Sequence, residues 1–152
     1  MLYRIFFFFL IRSAPRGLPW IFFLLAVNYA GDTAAYYVGR TWGRHLLSPS
    51  VSPKKTIEGS LGGLAANGLV AWIFQQTLFP GLAAWEILLL AGGIGILGQF
   101  GDLTESLLKR ASRFKDSGTL FPGHGGFLDR VDSLLFPAPL LYVYIHYRVL
   151  LP

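Results

Sequence analysis

The chain has 152 residues, of which 53% are hydrophobic and 16% aromatic, while only 14% are charged. This composition is too apolar for an ordinary soluble domain and indicates an integral membrane protein. The net charge of +5 would suit nucleic acid only if stacking aromatics shared an exposed basic face, but the aromatics lie inside apolar runs, so we expect no nucleic-acid partner. The absence of cysteine excludes disulfides, zinc–thiolate sites and thiol catalysis.

The first 17 residues contain a short apolar run, residues 5–11, with four consecutive phenylalanines. About 20 apolar residues are needed to cross a membrane, so this run predicts an interfacial segment or the end of a membrane helix. Arg12, Pro15 and Gly17 then interrupt it. We expect residues 1–17 to be the remnant of a preceding helix and residues 18–152 to complete a single membrane domain.

Four longer apolar segments predict an all-α, polytopic helical bundle with about four transmembrane helices. They are residues 18–38, 61–79, 82–100 and 134–151. Glycines recur at short spacings in residues 62–68 and 92–98, which is typical of membrane helices that approach closely. With only four spans we expect these glycine faces to be exposed unless another helix covers them, which favours a homo-oligomer.

An ionisable residue, Asp32, falls inside the first predicted span. A charge at membrane depth costs at least about 2.5 kcal/mol, so Asp32 is interpreted as functional or as facing the helical bundle. The alternative is an aspartate at the membrane interface near the end of the helix.

A polar segment at residues 40–58 separates the first two spans and is predicted as a loop. Lys54 and Lys55 either bind phosphate or only orient the protein in the membrane. Glu58, shortly after Thr56, either serves the site or caps the helix that follows.

The polar stretch at residues 106–132 is the strongest candidate site. It interleaves lysines and arginines with aspartates, around a backbone that Pro122 and several glycines make irregular. Carboxylates without cysteines or paired histidines favour Mg²⁺, and the basic side chains would hold phosphate oxygens. The alternative is a basic cytoplasmic loop whose charges only set topology, but the interleaved aspartates favour a site.

The basic loops at residues 40–58 and 103–133 are separated by two predicted spans, so both are expected on the cytoplasmic side. The N-terminal segment does not fit this rule, because Arg4, Arg12 and Arg16 would lie outside the cytoplasm if residues 18–38 formed the first span. Either these arginines are tolerated there, or helices that should precede them are absent.

The stretch at residues 106–132 resembles the full signature of the phosphatidate cytidylyltransferases, or CDP-diacylglycerol synthases. The matching positions are Ser106, Leu108, Lys109, Arg110, Lys115, Asp116, Gly118, Phe121, Pro122, His124, Gly125, Gly126, Asp129, Arg130 and Asp132. Residues 32–40 and 52–59 are similar to two further family blocks. The resemblance covers residues 18–152 and identifies them as the catalytic portion.

The resemblance implies transfer of CMP from CTP to phosphatidic acid, giving CDP-diacylglycerol and pyrophosphate, at the cytoplasmic face of a bacterial inner membrane. It implies Mg²⁺, with a second cation as an open alternative, held by Asp102, Asp129 and Asp132. The implied catalytic residues are Asp102, Lys109, Arg110, Lys115, Asp116, His124, Asp129, Arg130 and Asp132. The implied substrate-binding residues are Asp32, Lys54, Lys55, Thr56, Glu58 and Ser106. For His124 a purely structural role is the alternative.

Two other functions stay open at this point. The first is a cytidylyltransferase for another isoprenoid or archaeal lipid phosphate, which would share the charged signature. The second is a truncated, non-catalytic membrane subunit or transporter-like protein that binds anionic lipid. Bacterial members of the family are nearly twice as long, with further N-terminal membrane helices, so the resemblance implies that such helices are absent here.

Overall fold

The structure, a computed structural model, describes residues 2–49, 52–111, 134 and 136–150. Within these ranges the protein is mostly helical, with one short antiparallel ribbon. The helices are α1 (Leu2–Ser13), α2 (Gly17–Trp42), α3 (Ile57–Thr77), α4 (Ala84–Ala111) and α5 (Pro137–Leu150), and the strands are β1 (Leu46–Ser48) and β2 (Ser52–Thr56).

Two helices among the described residues are long and apolar enough to cross a membrane. They are α3, Ile57–Thr77, and the Ala84–Thr104 part of α4. Helix α2 has 26 residues, which is long enough, but it carries Asn28 and Asp32 in its interior. Helix α5 has 14 residues, fewer than a span requires. The helical fold class is therefore confirmed, together with two of the predicted spans.

The polar segment at residues 40–58 is not a plain loop, because it contains the ribbon. Strand β1 pairs antiparallel with β2, with Leu46 opposite Thr56 and Ser48 opposite Ser52. Pro53 is tolerated in β2 because each strand of a two-stranded ribbon is an edge strand. The sequence concealed these strands since serine, proline and lysine give β2 no alternation of apolar residues.

Helices α2 and α3 approach each other closely through glycines. A Cβ on Gly63 would lie 2.8 Å from the Gly31 carbonyl oxygen, and one on Gly62 would lie 2.7 Å from the Val38 side chain. On α4, a Cβ on Gly93 would lie 2.9 Å from Leu140 of α5. At these three positions the glycine faces are therefore covered by helices of the same chain, which is the alternative that the sequence left open to exposure.

The apolar core lies at the end of the bundle opposite the ribbon. Trp20 of α2 stacks on Phe79 with ring centroids 4.1 Å apart and makes an edge contact with Tyr144 of α5. Helix α1 packs into the same core through Ile11, which is fully buried. The N-terminal run is thus a helix of 12 residues that packs on the bundle.

The glycine contacts predict opposite effects for two Gly→Ala substitutions. Gly63→Ala should destabilise the protein by about 1–3 kcal/mol, because the new methyl group meets a backbone oxygen that cannot move away cheaply. Gly92→Ala is the matched control, since no atom lies within 4 Å of its added Cβ. Alanine favours the helix there by up to about 1 kcal/mol. Thermal unfolding in one detergent measures both, and equal effects would contradict the packing described.

Candidate active site

A cleft of about 840 Å³ opens where α2, β2, the start of α3 and the last part of α4 meet. Its lining combines charged side chains from segments that are far apart in the sequence. The charged residues in the lining are Asp32, Arg40, Lys54, Lys55 and Asp102. The cleft therefore brings candidate residues of the blocks at 32–40 and 52–59 together with Asp102, which precedes the signature stretch in the sequence.

The most direct link across the cleft is an ion pair between Lys55 Nζ of β2 and Asp102 Oδ2 of α4. The Lys55 side chain is 27% exposed and that of Asp102 47%, so the pair sits at a partly wet surface. Asp32 lies close enough for the charges of both residues to act on its carboxyl group. It also accepts a 3.4 Å hydrogen bond from Asn28 Nδ2. Asp32 thus lines the cleft.

Helices α3 and α4 are joined beside this ion pair by a polar contact that the sequence analysis missed. The Ser60 hydroxyl donates to Gln99 Oε1, and Gln99 Nε2 donates to the Ser60 carbonyl oxygen at 3.4 Å. Gln99 is three residues before Asp102, so both side chains lie on one face of α4. This spacing is the pattern that could have identified Gln99.

Two aromatic residues of α2, Tyr29 and Tyr36, also line the cleft and were not predicted as site residues. Arg40 Nη1 donates to the Tyr36 hydroxyl at 3.1 Å, which orders both side chains. Tyr29, Asp32, Tyr36 and Arg40 are three or four residues apart, so they form one stripe along the helix. The helical period around Asp32 could therefore have revealed them.

The contacts at the start of α3 bear on the two roles considered for Glu58, which are a role in the site and capping of the helix. Thr56 is the N-cap, and its hydroxyl oxygen accepts a 3.1 Å hydrogen bond from the Gly59 amide. Glu58 instead accepts from the amides of Arg44 and His45 at 3.1 and 3.2 Å, so the prediction that it caps α3 is wrong. Glu58 is absent from the lining of the cleft, whereas Thr56 is part of it.

Comparison with known proteins assigns the chain to a family. The sequence model described as the cytidylyltransferase family matches residues 1–148. The chain belongs to the cytidylyltransferase family. The match includes α1, so the family likeness begins earlier than residue 18.

Three curated relatives are each named phosphatidate cytidylyltransferase. The chain is 42% identical to that of Staphylococcus saprophyticus over 90% of its own length and 53% of the relative's. It is 44% identical to that of Bacillus subtilis over 83% of its own length and 47% of the relative's. For the Synechocystis protein the identity is 47% over 88% and 45% of the two lengths. The chain thus spans about half the length of the curated relatives it matches.

Several predicted site residues lie outside the described residues. They are Lys115, Asp116, His124, Asp129, Arg130 and Asp132. Lys109 and Arg110 lie on the last turns of α4, and Ser106 donates from its hydroxyl to the Asp102 carbonyl oxygen at 2.8 Å. Among the described residues no three His, Cys, Asp or Glu side chains cluster as a metal site. The predicted metal site includes Asp129 and Asp132, so it stays a prediction.

The cap at Thr56 generates a prediction about the stability of the cleft wall. Thr56→Val keeps the shape of the side chain but removes the oxygen that the Gly59 amide needs, so it should cost about 1 kcal/mol. Thr77→Val, at the other end of α3, removes only an exposed hydroxyl that donates to the Ile73 carbonyl. This control should change stability by less than about 0.5 kcal/mol. Thermal unfolding compares the two, and a Thr56→Val protein as stable as the control would contradict the cap.

Proposed function

We propose that the protein transfers CMP from CTP to phosphatidic acid, giving CDP-diacylglycerol and pyrophosphate. The observation that carries this proposal is the cleft in which Lys54 and Lys55 of β2 meet Asp32 of α2 and Asp102 of α4. Basic side chains beside carboxylates are what a site for a metal-bound nucleotide phosphate requires. Relatives at 42–47% identity carry the name of this activity, which supports the same reaction.

Of the ligands proposed for a divalent cation, Asp102 is the one that lies among the described residues. Asp102 already accepts the Lys55 ammonium group, so its carboxylate is directed at a position where a cation is stabilised. Oxygen ligands in a site without thiols suit Mg²⁺. Asp102, with Asp129 and Asp132 from the sequence signature, would hold it, and a second cation could share these ligands. When bound, the cation supplies charge stabilisation for the phosphate oxygens.

The side chains of the site would position the two substrates for the reaction. An oxygen of the lipid phosphate forms a bond to the α-phosphorus of CTP while the bond to the bridging oxygen breaks, and pyrophosphate leaves. No covalent nucleophile is needed because the attacking group is already an anion. Lys54, Lys55 and Arg40 would bind phosphate oxygens and hold the two substrates in line.

Further roles are proposed from the family signature alone. Lys109, Arg110, Lys115 and Arg130 would add phosphate contacts, while Asp116 and His124 would act in the same site. Ser106 and Thr56 would contribute hydroxyl groups at its edge. These assignments follow the order of the signature along the chain.

We also propose the membrane arrangement that this reaction needs. Four spans, containing α2, α3, α4 and α5, would place the ribbon and the end of α4 at the cytoplasmic face of a bacterial inner membrane. The support is that α3 begins and α4 ends at the cleft, so these two antiparallel spans have both polar ends on one side. A homo-oligomer and surrounding membrane lipids would cover the apolar side chains that α2, α3 and α4 expose.

Single cysteines in this cysteine-free chain test the arrangement. Ser52→Cys and Ser117→Cys should react with a membrane-impermeant reagent from the cytoplasmic side, because two spans separate them. Gly81→Cys is the matched control at the exposed turn between α3 and α4, and it should react only from the opposite side. Ser52→Cys and Gly81→Cys reacting from the same side would contradict the span assignment.

Replacement of Asp102 tests the reaction. Asp102→Asn should lower formation of CDP-diacylglycerol from radiolabelled CTP and phosphatidic acid by at least about 100-fold, because a carboxylate that would hold the charge-stabilising cation is lost. Glu86→Gln is the control, since Glu86 pairs with Arg148 in another part of the structure and should retain activity. Undiminished turnover by the Asn variant would contradict the assignment of Asp102. No product from the unsubstituted protein in vesicles with CTP, Mg²⁺ and phosphatidic acid would contradict the proposed function.

A further inference from the structure

We infer that Glu58 is a positioning residue that clamps the connection between α2 and α3 and thereby holds Lys54 and Lys55 in the cleft. This inference rests on the proposed function, in which the two lysines bind substrate phosphates. It replaces the direct contact with substrate that the sequence analysis assigned to Glu58.

Both oxygens of the Glu58 carboxylate are already engaged by the protein. One accepts from the backbone amides of Arg44 and His45, and the other lies 2.6 Å from His45 Nδ1. The Glu58 side chain is 26% exposed, and the His45 ring that covers it is 74% exposed. Hydrogen bonds from amides to a carboxylate are about twice as strong as those between neutral groups. The contacts therefore occupy the groups that a substrate would otherwise use.

The segment that Glu58 closes is the one that carries the two lysines. Helix α2 ends where the Gly43 amide donates to the Gly39 carbonyl, and the next two amides are those that Glu58 accepts. The Ile57 amide then donates to the His45 carbonyl oxygen at 2.9 Å. Between these fixed points lies a ribbon of three and five residues, and an isolated ribbon of that size is marginally stable. Its position therefore depends on the clamp at its base.

The position of the ribbon affects the cleft through Lys55, because this residue of β2 pairs with Asp102. If the base of the ribbon loosens, the lysine side chains must be ordered when the nucleotide binds, and binding weakens by that entropy. The chemical step, once both substrates are bound, is affected less. Loss of the clamp should thus appear in the KM for CTP and in nucleotide affinity more than in kcat.

The Gln variant separates a clamp from direct contact with substrate or metal. Glutamine keeps a side-chain oxygen of the same reach, which can accept from both amides, but it has no charge. A clamp therefore survives Glu58→Gln, whereas a charge that binds a cation does not. Asp and Ala fail as clamps for different reasons, since Asp is one methylene too short and Ala has no acceptor.

The experiment measures KM for CTP, kcat and CTP affinity in the reconstituted protein with Mg²⁺. Glu58→Asp and Glu58→Ala should raise KM about tenfold or more, with kcat changed less than about threefold. Glu58→Gln should stay within about threefold of the unsubstituted KM. Glu86→Ala is the matched control, because Glu86 also bridges two segments through Arg148 and Tyr144 but lies outside the cleft lining. It should leave KM unchanged.

Two outcomes would overturn the inference from these measurements. A Gln variant as impaired as the Ala variant would show that the charge of Glu58 itself is needed. An unchanged KM in both the Asp and the Ala variant would show that no clamp acts on the site. Adding Glu58→Ala to a Lys54→Gln and Lys55→Gln variant gives an independent criterion, since KM should rise no further than in that two-lysine variant if Glu58 acts through the two lysines.

Amide hydrogen exchange tests the clamp independently of the proposed function. Exchange at Arg44, His45 and the ribbon should accelerate at least about tenfold in Glu58→Asp and Glu58→Ala, and not in Glu58→Gln or Glu86→Ala. Unchanged exchange in the Asp and Ala variants would overturn the clamp even in an active enzyme. If the unsubstituted protein makes no CDP-diacylglycerol, the proposed function fails, and the exchange data still decide whether Glu58 clamps the ribbon.

Discussion

The close approach of α2 to α3 is the contact on which the site depends. Gly62 and Gly63 let α3 lie against the backbone of α2, and Gly59 continues this contact to the start of α3. Small residues are what permits such an approach in a membrane, where burial of apolar surface gives helices no advantage over lipid. Because α2 ends and α3 begins at the same level, the polar connection between them folds directly over Asp32 and brings β2 to α4.

The cleft lining carries three basic side chains and two carboxylates, and its ion pair stays partly exposed to solvent. Lys55 lies between two carboxylates, Asp102 with which it pairs and Asp32 on which its charge also acts. At such partly exposed positions an ion pair contributes little stability, so stability alone does not explain why these residues meet. The proposed binding of a cation and of substrate phosphates gives these residues a reason to meet. The Tyr36 and Arg40 pair adds an ordered wall on the side of α2.

Prediction from the sequence succeeded where residue type and length decide the outcome. Apolar length predicted α3 and the Ala84–Thr104 part of α4, the two helices that are long and apolar enough to cross a membrane. The ribbon could not be predicted because its strands are short and polar and are held by pairing and by Glu58. The clamp itself joins residues 13 and 14 positions apart, so no local spacing indicated it. The cover of the glycine faces stayed open because glycine spacing shows that helices approach but does not show which helix lies against them.

The proposed function depends above all on the cleft between α2, β2 and α4, which would bind the phosphates of CTP. A crystal structure of the protein with CTP and Mg²⁺, in the absence of phosphatidic acid, tests this most directly. We expect phosphate oxygens within hydrogen-bonding distance of Lys54 or Lys55. The Lys55 ammonium group should have moved from Asp102 towards the nucleotide. A nucleotide bound elsewhere, with the pair between Lys55 and Asp102 intact, would contradict it.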